Sequence, residues 1–71
     1  VEVIVQEGAS VAGIPLMKAH LPRECLVCAY VRGDEAVIPN GASVLLPGDR
    51  TILFIRTGFA QKVMKYFKGK D

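Results

Sequence analysis

Apolar and polar positions alternate in short bursts along this chain, and glycine and proline cut the bursts apart. "VEVIV", residues 1 to 5, is β-branched and partly alternating, which predicts a strand. "EGAS" interrupts it, and "GIPLMKAHLP" then offers Pro15 as a first-turn residue and Pro22 as a stop, predicting a short helix over residues 15–20. "CLVCAYV", residues 25–31, has no polar break, the pattern of a strand covered on both faces. Gly33-Asp34 makes a two-residue hairpin link to "EAVI", residues 35–38. After Pro39-Asn40-Gly41 and Pro47-Gly48-Asp49 comes another apolar strand, "TILFI", residues 51–55. Finally Ala60, Val63, Met64 and Phe67 recur at i, i+3, i+4, i+7, with Gln61, Lys62, Lys65 and Lys68 opposite. That spacing predicts an amphipathic helix, with Thr57 as N-cap and Gly69 as its stop.

The order β-α-β-β-β-α predicts an α+β domain: a mostly antiparallel four-stranded sheet with two helices. Residues 1–71 form a single domain, near the lower size limit for folding on one core, and 51% of them are hydrophobic. Trp is absent, so the core is aliphatic, with Phe54, Phe59 and Phe67 as its large members. A chain so short and so apolar is expected to cover its surplus surface by pairing with a copy or another domain. It begins inside an apolar alternation without Met and reads as a piece of a longer protein. It has no apolar window of about eighteen residues and no export leader.

A net charge of +2 is too mild for a nucleic-acid footprint. Lys62, Lys65, Lys68 and Lys70 cluster near the end, and a solvated helix face is the expected reading; a basic nucleic-acid binder is the competing one. Cys25 and Cys28 form a C-x-x-C, but three strand steps separate their Cα atoms by roughly 10 Å and send the side chains to opposite faces. A disulfide tolerates only about 7 Å, so both are expected to be core thiols. His20 cannot complete a metal site alone and is read as a surface or capping histidine. "RGD", residues 32–34, is explained by the hairpin. The carboxylates Glu2, Glu7, Glu24, Asp34, Glu35, Asp49 and Asp71 fall on turns and strand ends, where they ordinarily meet water. Neither a phosphate-binding glycine loop nor a nucleophile–base set can be nominated. The expectation is no enzyme, no catalytic residue and no metal.

Taken in order, "GIPL" (13–16), "CLVCAYVRGDEAVIPNG" (25–41) and "VLLPGDRTILF" (44–54) resemble the TrkA-C domain, the C-terminal lobe of RCK proteins. The shared pattern is a Gly-x-x-Leu opening a short helix, an apolar strand ending in Arg-Gly, a strand ending in Ile-Pro-x-Gly, and Gly-Asp-Arg before the last strand. The resemblance spans residues 1 to about 56. It implies a cytoplasmic homodimer, peripheral to the membrane, that regulates a Trk/Ktr-type potassium uptake protein or an RCK-gated channel. A structural dimerisation lobe, or a regulatory appendage on another cation or anion transporter, is the alternative. No cofactor is expected on this lobe; a nucleotide would occupy a preceding lobe.

Some members of that family bind a small regulatory ligand between two C-lobes, in several cases cyclic di-AMP. Carried over by position, the ligand contacts are Arg32, Val37, Ile38, Pro39 and Asn40. The residue types agree with that role. Arg32 can fork onto a phosphate, Ile38 and Pro39 offer an apolar platform, and Asn40 and Gly41 are expected to leave backbone groups open. The plain reading of Pro39-Asn40-Gly41 is a turn. Pro47-Gly48-Asp49 is read only as a corner that aims the last strand.

Overall fold

A computed structural model describes residues 1–69. Four strands form one sheet: β1 (Glu2–Ile4), β2 (Cys25–Arg32), β3 (Glu35–Val37) and β4 (Arg50–Ile55). Their spatial order is β1-β4-β2-β3, and every neighbouring pair is antiparallel. The expected first helix is a single 3-10 turn, Leu16–Lys18. Pro15 opens it, but no side chain caps it and the apolar residues are too few for a longer buried stripe. The last helix, α1 (Ala60–Met64), is also shorter than its periodicity suggests. Phe59 occupies the N-cap position in place of the expected Thr57, and further turns, rather than helix, carry the chain to Gly69. Lys70 and Asp71 lie outside the described residues.

The core sits between one face of the sheet and the segments that cross it. Val5, Val11, Leu45, Leu53, Val63 and Phe67 are its deeply buried apolar members. Val63 and Phe67 hold α1 and the following turn against the sheet, and the backbone seals the seam: Gln6 N–H donates to Phe67 O (3.0 Å) and Val11 N–H to Tyr66 O (3.1 Å).

One irregularity governs which side chains reach that core. Along β2, Leu26 pairs with Phe54 and Val27 with Leu53, but the next pair is Ala29 with Ile52. Cys28 is the extra residue of a β-bulge. Strict alternation from Leu26 would send Tyr30 and Arg32 outward; the inserted residue reverses the parity and turns both towards the core side. Tyr30 is accordingly buried, opposite the buried Thr51.

The other face of the sheet corrects two expectations. Strand β2 is covered on one face, not two: Leu26 and Cys28 are exposed. Cys25 is half-buried, and burial, followed by the neighbouring Cys28, pushes its thiol up; only Cys25 behaves as the expected core thiol. Phe54 is not a core residue but is 74% exposed, because it lies on the same outward face as Ile52 and Arg50. Phe67, at 1%, is the aromatic that fills the interior.

Candidate functional site

Pro47-Gly48-Asp49 is more than a corner. Asp49 N–H donates to Leu46 O (3.0 Å), closing a turn with Pro47 second and Gly48, at φ +94°, third. A positive φ at that place is the requirement of a type II turn. The turn buries the Asp49 side chain, which is 3% exposed, instead of leaving it to water as expected. Arg32, delivered inward by the bulge, meets it with a fork: Nε donates to Oδ1 (2.9 Å) and Nη2 to Oδ2 (2.7 Å). Leu46 N–H adds a third bond to Oδ2 (2.8 Å), and Arg32 Nη2 also reaches Val44 O (3.0 Å). The Arg32 hydrogen bond holds the Asp49 carboxyl below the usual carboxylate range; desolvation works the other way, and the Leu46 amide reinforces the lowering. Nothing in "PGDR" distinguishes a buried turn aspartate from a wet one, so the sequence carries no signal of this anchor.

Arg32 keeps capacity. Of five guanidinium N–H groups, three are engaged, and the two on Nη1 have no protein acceptor among the described residues. The side chain is 45% exposed, with its guanidinium 5.1 Å from the Tyr30 ring.

The second corner is locked internally. Asn40 Oδ1 accepts from Ala42 N–H (2.8 Å), Asn40 N–H donates to Ser43 Oγ (2.9 Å), and Ser43 N–H to Asn40 O (3.0 Å). Gly41 O accepts from Met17 N–H (2.9 Å). The expectation of open backbone groups at Asn40 and Gly41 therefore fails for the Asn40 N–H and both carbonyls. What Asn40 retains is its side-chain amide as a donor. Pro39, Asn40 and Gly41 line an open groove of about 320 Å³ together with Leu16, Met17, Leu21, Leu26 and Val27.

Ile38, 81% exposed, lies on the outward face beyond β3, whereas Val37 is half-buried against the core. Arg32 does not line the groove. From the Tyr30–Val37 register, Pro39 falls beside Cys28, four residues from Arg32, or about 13 Å along the strand. The structure thus brings Pro39 and Asn40 together and leaves Arg32 at the opposite end of the β2–β3 hairpin.

Elsewhere, Lys62 lies 3.7 Å from the half-buried Glu24, while Lys65 and Lys68 border a larger groove of about 550 Å³ between β1 and α1. Among the described residues no three His, Cys, Asp or Glu side chains gather to hold a metal ion, and no helix is long and apolar enough to cross a membrane. His20 is exposed, at φ 55°.

Comparison with known proteins finds matches over nearly all of the chain. Residues 1–68 match the TrkA-C domain family. The chain is 37% identical over 68 residues to the Trk system potassium uptake protein TrkA homolog 1 of Methanosarcina mazei, and 33% over 67 residues to a TrkA homolog of Pyrococcus abyssi. These alignments cover 96% and 93% of this chain but only 15% and 30% of those proteins. Among solved structures, an RCK domain described with cda superposes with a TM-score of 0.81 at 18% identity, covering 96% of each chain. The RCK_C domain dimer of S. agalactiae BusR in complex with c-di-AMP gives 0.75 at 22%, covering 94% of this chain and 86% of that one. BusR in complex with its busAB-promotor DNA matches over 34% of its length. At these identities the structural likeness is one of fold; the sequence match carries the assignment, and by it the chain belongs to the TrkA-C domain family.

Proposed function

We propose that this chain is the regulatory C-terminal lobe of a potassium uptake protein, working as a homodimer that binds a two-fold symmetric dinucleotide such as cyclic di-AMP across its axis. The named function of the TrkA relatives and the c-di-AMP complex of the BusR lobe support the class of protein and of ligand. The observation that carries the reading is the separation of the binding groups. Arg32 holds two unspent N–H donors near the turn of the hairpin, and Pro39 with the Asn40 amide lines a groove that Arg32 does not reach into, four residues away along the strand. A ligand on a two-fold axis can take Arg32 from one copy and the Pro39 corner from its mate, twice over. Such a ligand acts on the attached transporter through its different affinity for two arrangements of the dimer. DNA is not part of the proposal: a charge of +2 offers little to phosphate backbones, and the DNA-bound BusR shares only 34% of its length with this domain.

The test is a calorimetric titration with cyclic di-AMP that records stoichiometry as well as affinity, run on the parent and on Asn40→Asp. That substitution keeps the oxygen that Ala42 N–H needs but replaces the free amide by a negative charge facing the phosphates. One ligand per two chains, weakened at least about tenfold by Asn40→Asp with melting unchanged, is the expected result. No heat near about a millimolar ligand would leave the lobe as an assembly unit.

A further inference from the structure

The sheet runs β1-β4-β2-β3, so β1 is a free edge, at the opposite side from the β3 edge that leads into the Pro39 corner. A groove of about 550 Å³ lies along it. Val3 and Ile4 both line this groove, although successive strand residues face opposite sides of a sheet. A groove that touches both must follow the edge of the strand. Ala60 and Met64 of α1 line it as well, with Phe67 from the turn that follows the helix.

That edge carries unpaired backbone groups. Val1 and Leu53 bond reciprocally, Val1 N to Leu53 O at 3.0 Å and Leu53 N–H to Val1 O at 2.7 Å, and Val5 N–H donates to Asp49 O at 2.9 Å. Bonded pairs alternate along an antiparallel ladder, so Val3 with Thr51 is the bonded pair between them. Glu2 and Ile4 therefore turn their N–H and C=O groups away from β4, and no other backbone hydrogen bond among the described residues engages them. Charge gives the edge a preference. Lys65 and Lys68 are exposed, take part in no ion pair among the described residues, and line the groove, whereas no carboxylate does.

We infer that the β1 edge is a docking site for a short extended segment of a partner protein, in which an acidic residue stands between apolar ones. The segment adds a strand to the sheet. Its backbone pairs with Glu2 and Ile4, its apolar side chains meet Met64 and Phe67, and its carboxylate meets Lys65 or Lys68. An unpaired edge is a template for another strand, and three residues are few enough to admit a segment without seeding open-ended stacking. A lipid surface would use the lysines and leave the row of backbone donors and acceptors unmatched, so the peptide is the favoured occupant. The inference does not depend on the dinucleotide proposed above.

The test is a titration of the isotope-labelled chain with a blocked pentapeptide of alternating valine and glutamate, followed by nuclear magnetic resonance at the backbone amides. The expected result is saturable movement of the Glu2 and Ile4 amide signals, larger than that of Val3, with a Kd of about 0.1–1 mM. Lys65→Glu combined with Lys68→Glu, at two exposed positions, should weaken binding at least about tenfold. N-methylation of the peptide, which removes the donors an added strand needs, should do the same. An N-methylated peptide that binds equally well would overturn strand addition, and an undiminished double variant would overturn the role of the lysines. No movement of either amide at about 5 mM peptide would remove the site. Movement of both with chain concentration alone would give the edge to a second copy. Binding to phosphatidylglycerol vesicles without any response to the peptide would give it to a membrane; either outcome overturns the peptide. Because the Pro39 corner lies at the other edge, failure here leaves the cyclic di-AMP titration untouched.

Discussion

Arg32 and Asp49 are seventeen residues apart in the chain and joined by two parallel hydrogen bonds of 2.9 and 2.7 Å. The pair fastens the far end of β2 to the turn that launches β4, and the Asp49 carbonyl, by accepting from Val5 N–H (2.9 Å), extends the link to β1. Asp49→Ala removes the acceptor for both Arg32 bonds and for the Leu46 amide. Arg32 is half in water and recovers part of its loss, so the expected cost is about 1–3 kcal/mol in urea unfolding. In a domain whose whole stability is about 4–10 kcal/mol, that is a visible fraction. Arg32→Ala leaves the carboxylate buried with only the Leu46 N–H and should also destabilise, so ligand tests are better read on Asn40 than on Arg32.

Neither deleting Cys28 nor replacing it is expected to change which side chains of β2 face the core. Cys28→Ser changes an exposed side chain and should stay within about 0.5 kcal/mol of the parent. The deletion takes out the extra residue itself, so Val27 opposite Leu53 and Ala29 opposite Ile52 become successive pairs, and Tyr30 and Arg32 stay on the core side. Near-ultraviolet circular dichroism should show native tertiary structure in both; its loss in the deletion would mean that the local bend of the bulge, and not parity alone, delivers Tyr30 and Arg32 to the core side.

The bulge also marks the boundary of what the sequence discloses. Element order, the antiparallel sheet and the hairpin at Gly33-Asp34 follow from local signals: β-branched bursts, turn residues and a two-residue link. The unbroken "CLVCAYV" run was ambiguous, because an apolar residue on an outward face reads the same as one in a core. A bulge has no signature when both residues flanking it are apolar. For the same reason Phe54 and Phe67 looked alike, although one is 74% and the other 1% exposed. The Pro39 corner was legible as a turn and Arg32 as a forked cation. Their separation, and the capture of Arg32 by Asp49, depend on pairing register, which only the fold supplies.

Gly48→Ala isolates the cost of backbone conformation. A Cβ there would touch nothing within 4 Å, so crowding plays no part, but φ is +94°, where residues with side chains are strained. A loss of about 1–2 kcal/mol is expected, read as a fall of about 4–16 °C in melting temperature. Gly48→Asn, a residue more tolerant of positive φ, should recover part of it. If the two substitutions were equally harmless, the turn would have to relax to another type, and the placement of Asp49 would relax with it.

Acid stability should report the Asp49 anchor directly. Its folded-state pKa is depressed, by the Arg32 hydrogen bond first and the Leu46 amide next, against an opposing desolvation. The unfolded chain therefore takes up this proton at higher pH than the folded one, starting near the ordinary aspartate value of about 3.9. The stabilisation is fully present above that value and disappears as pH falls from there through the lower folded-state pKa. Asp49→Asn has no such proton to gain. Urea midpoints measured downward from neutral pH should show the parent losing its advantage over Asp49→Asn below about pH 4, with the gap constant above about pH 5. Parallel curves down to the acid limit would mean that the carboxylate is as easily protonated folded as unfolded, and the fork to Arg32 would then contribute nothing to holding β2 against the β4 turn.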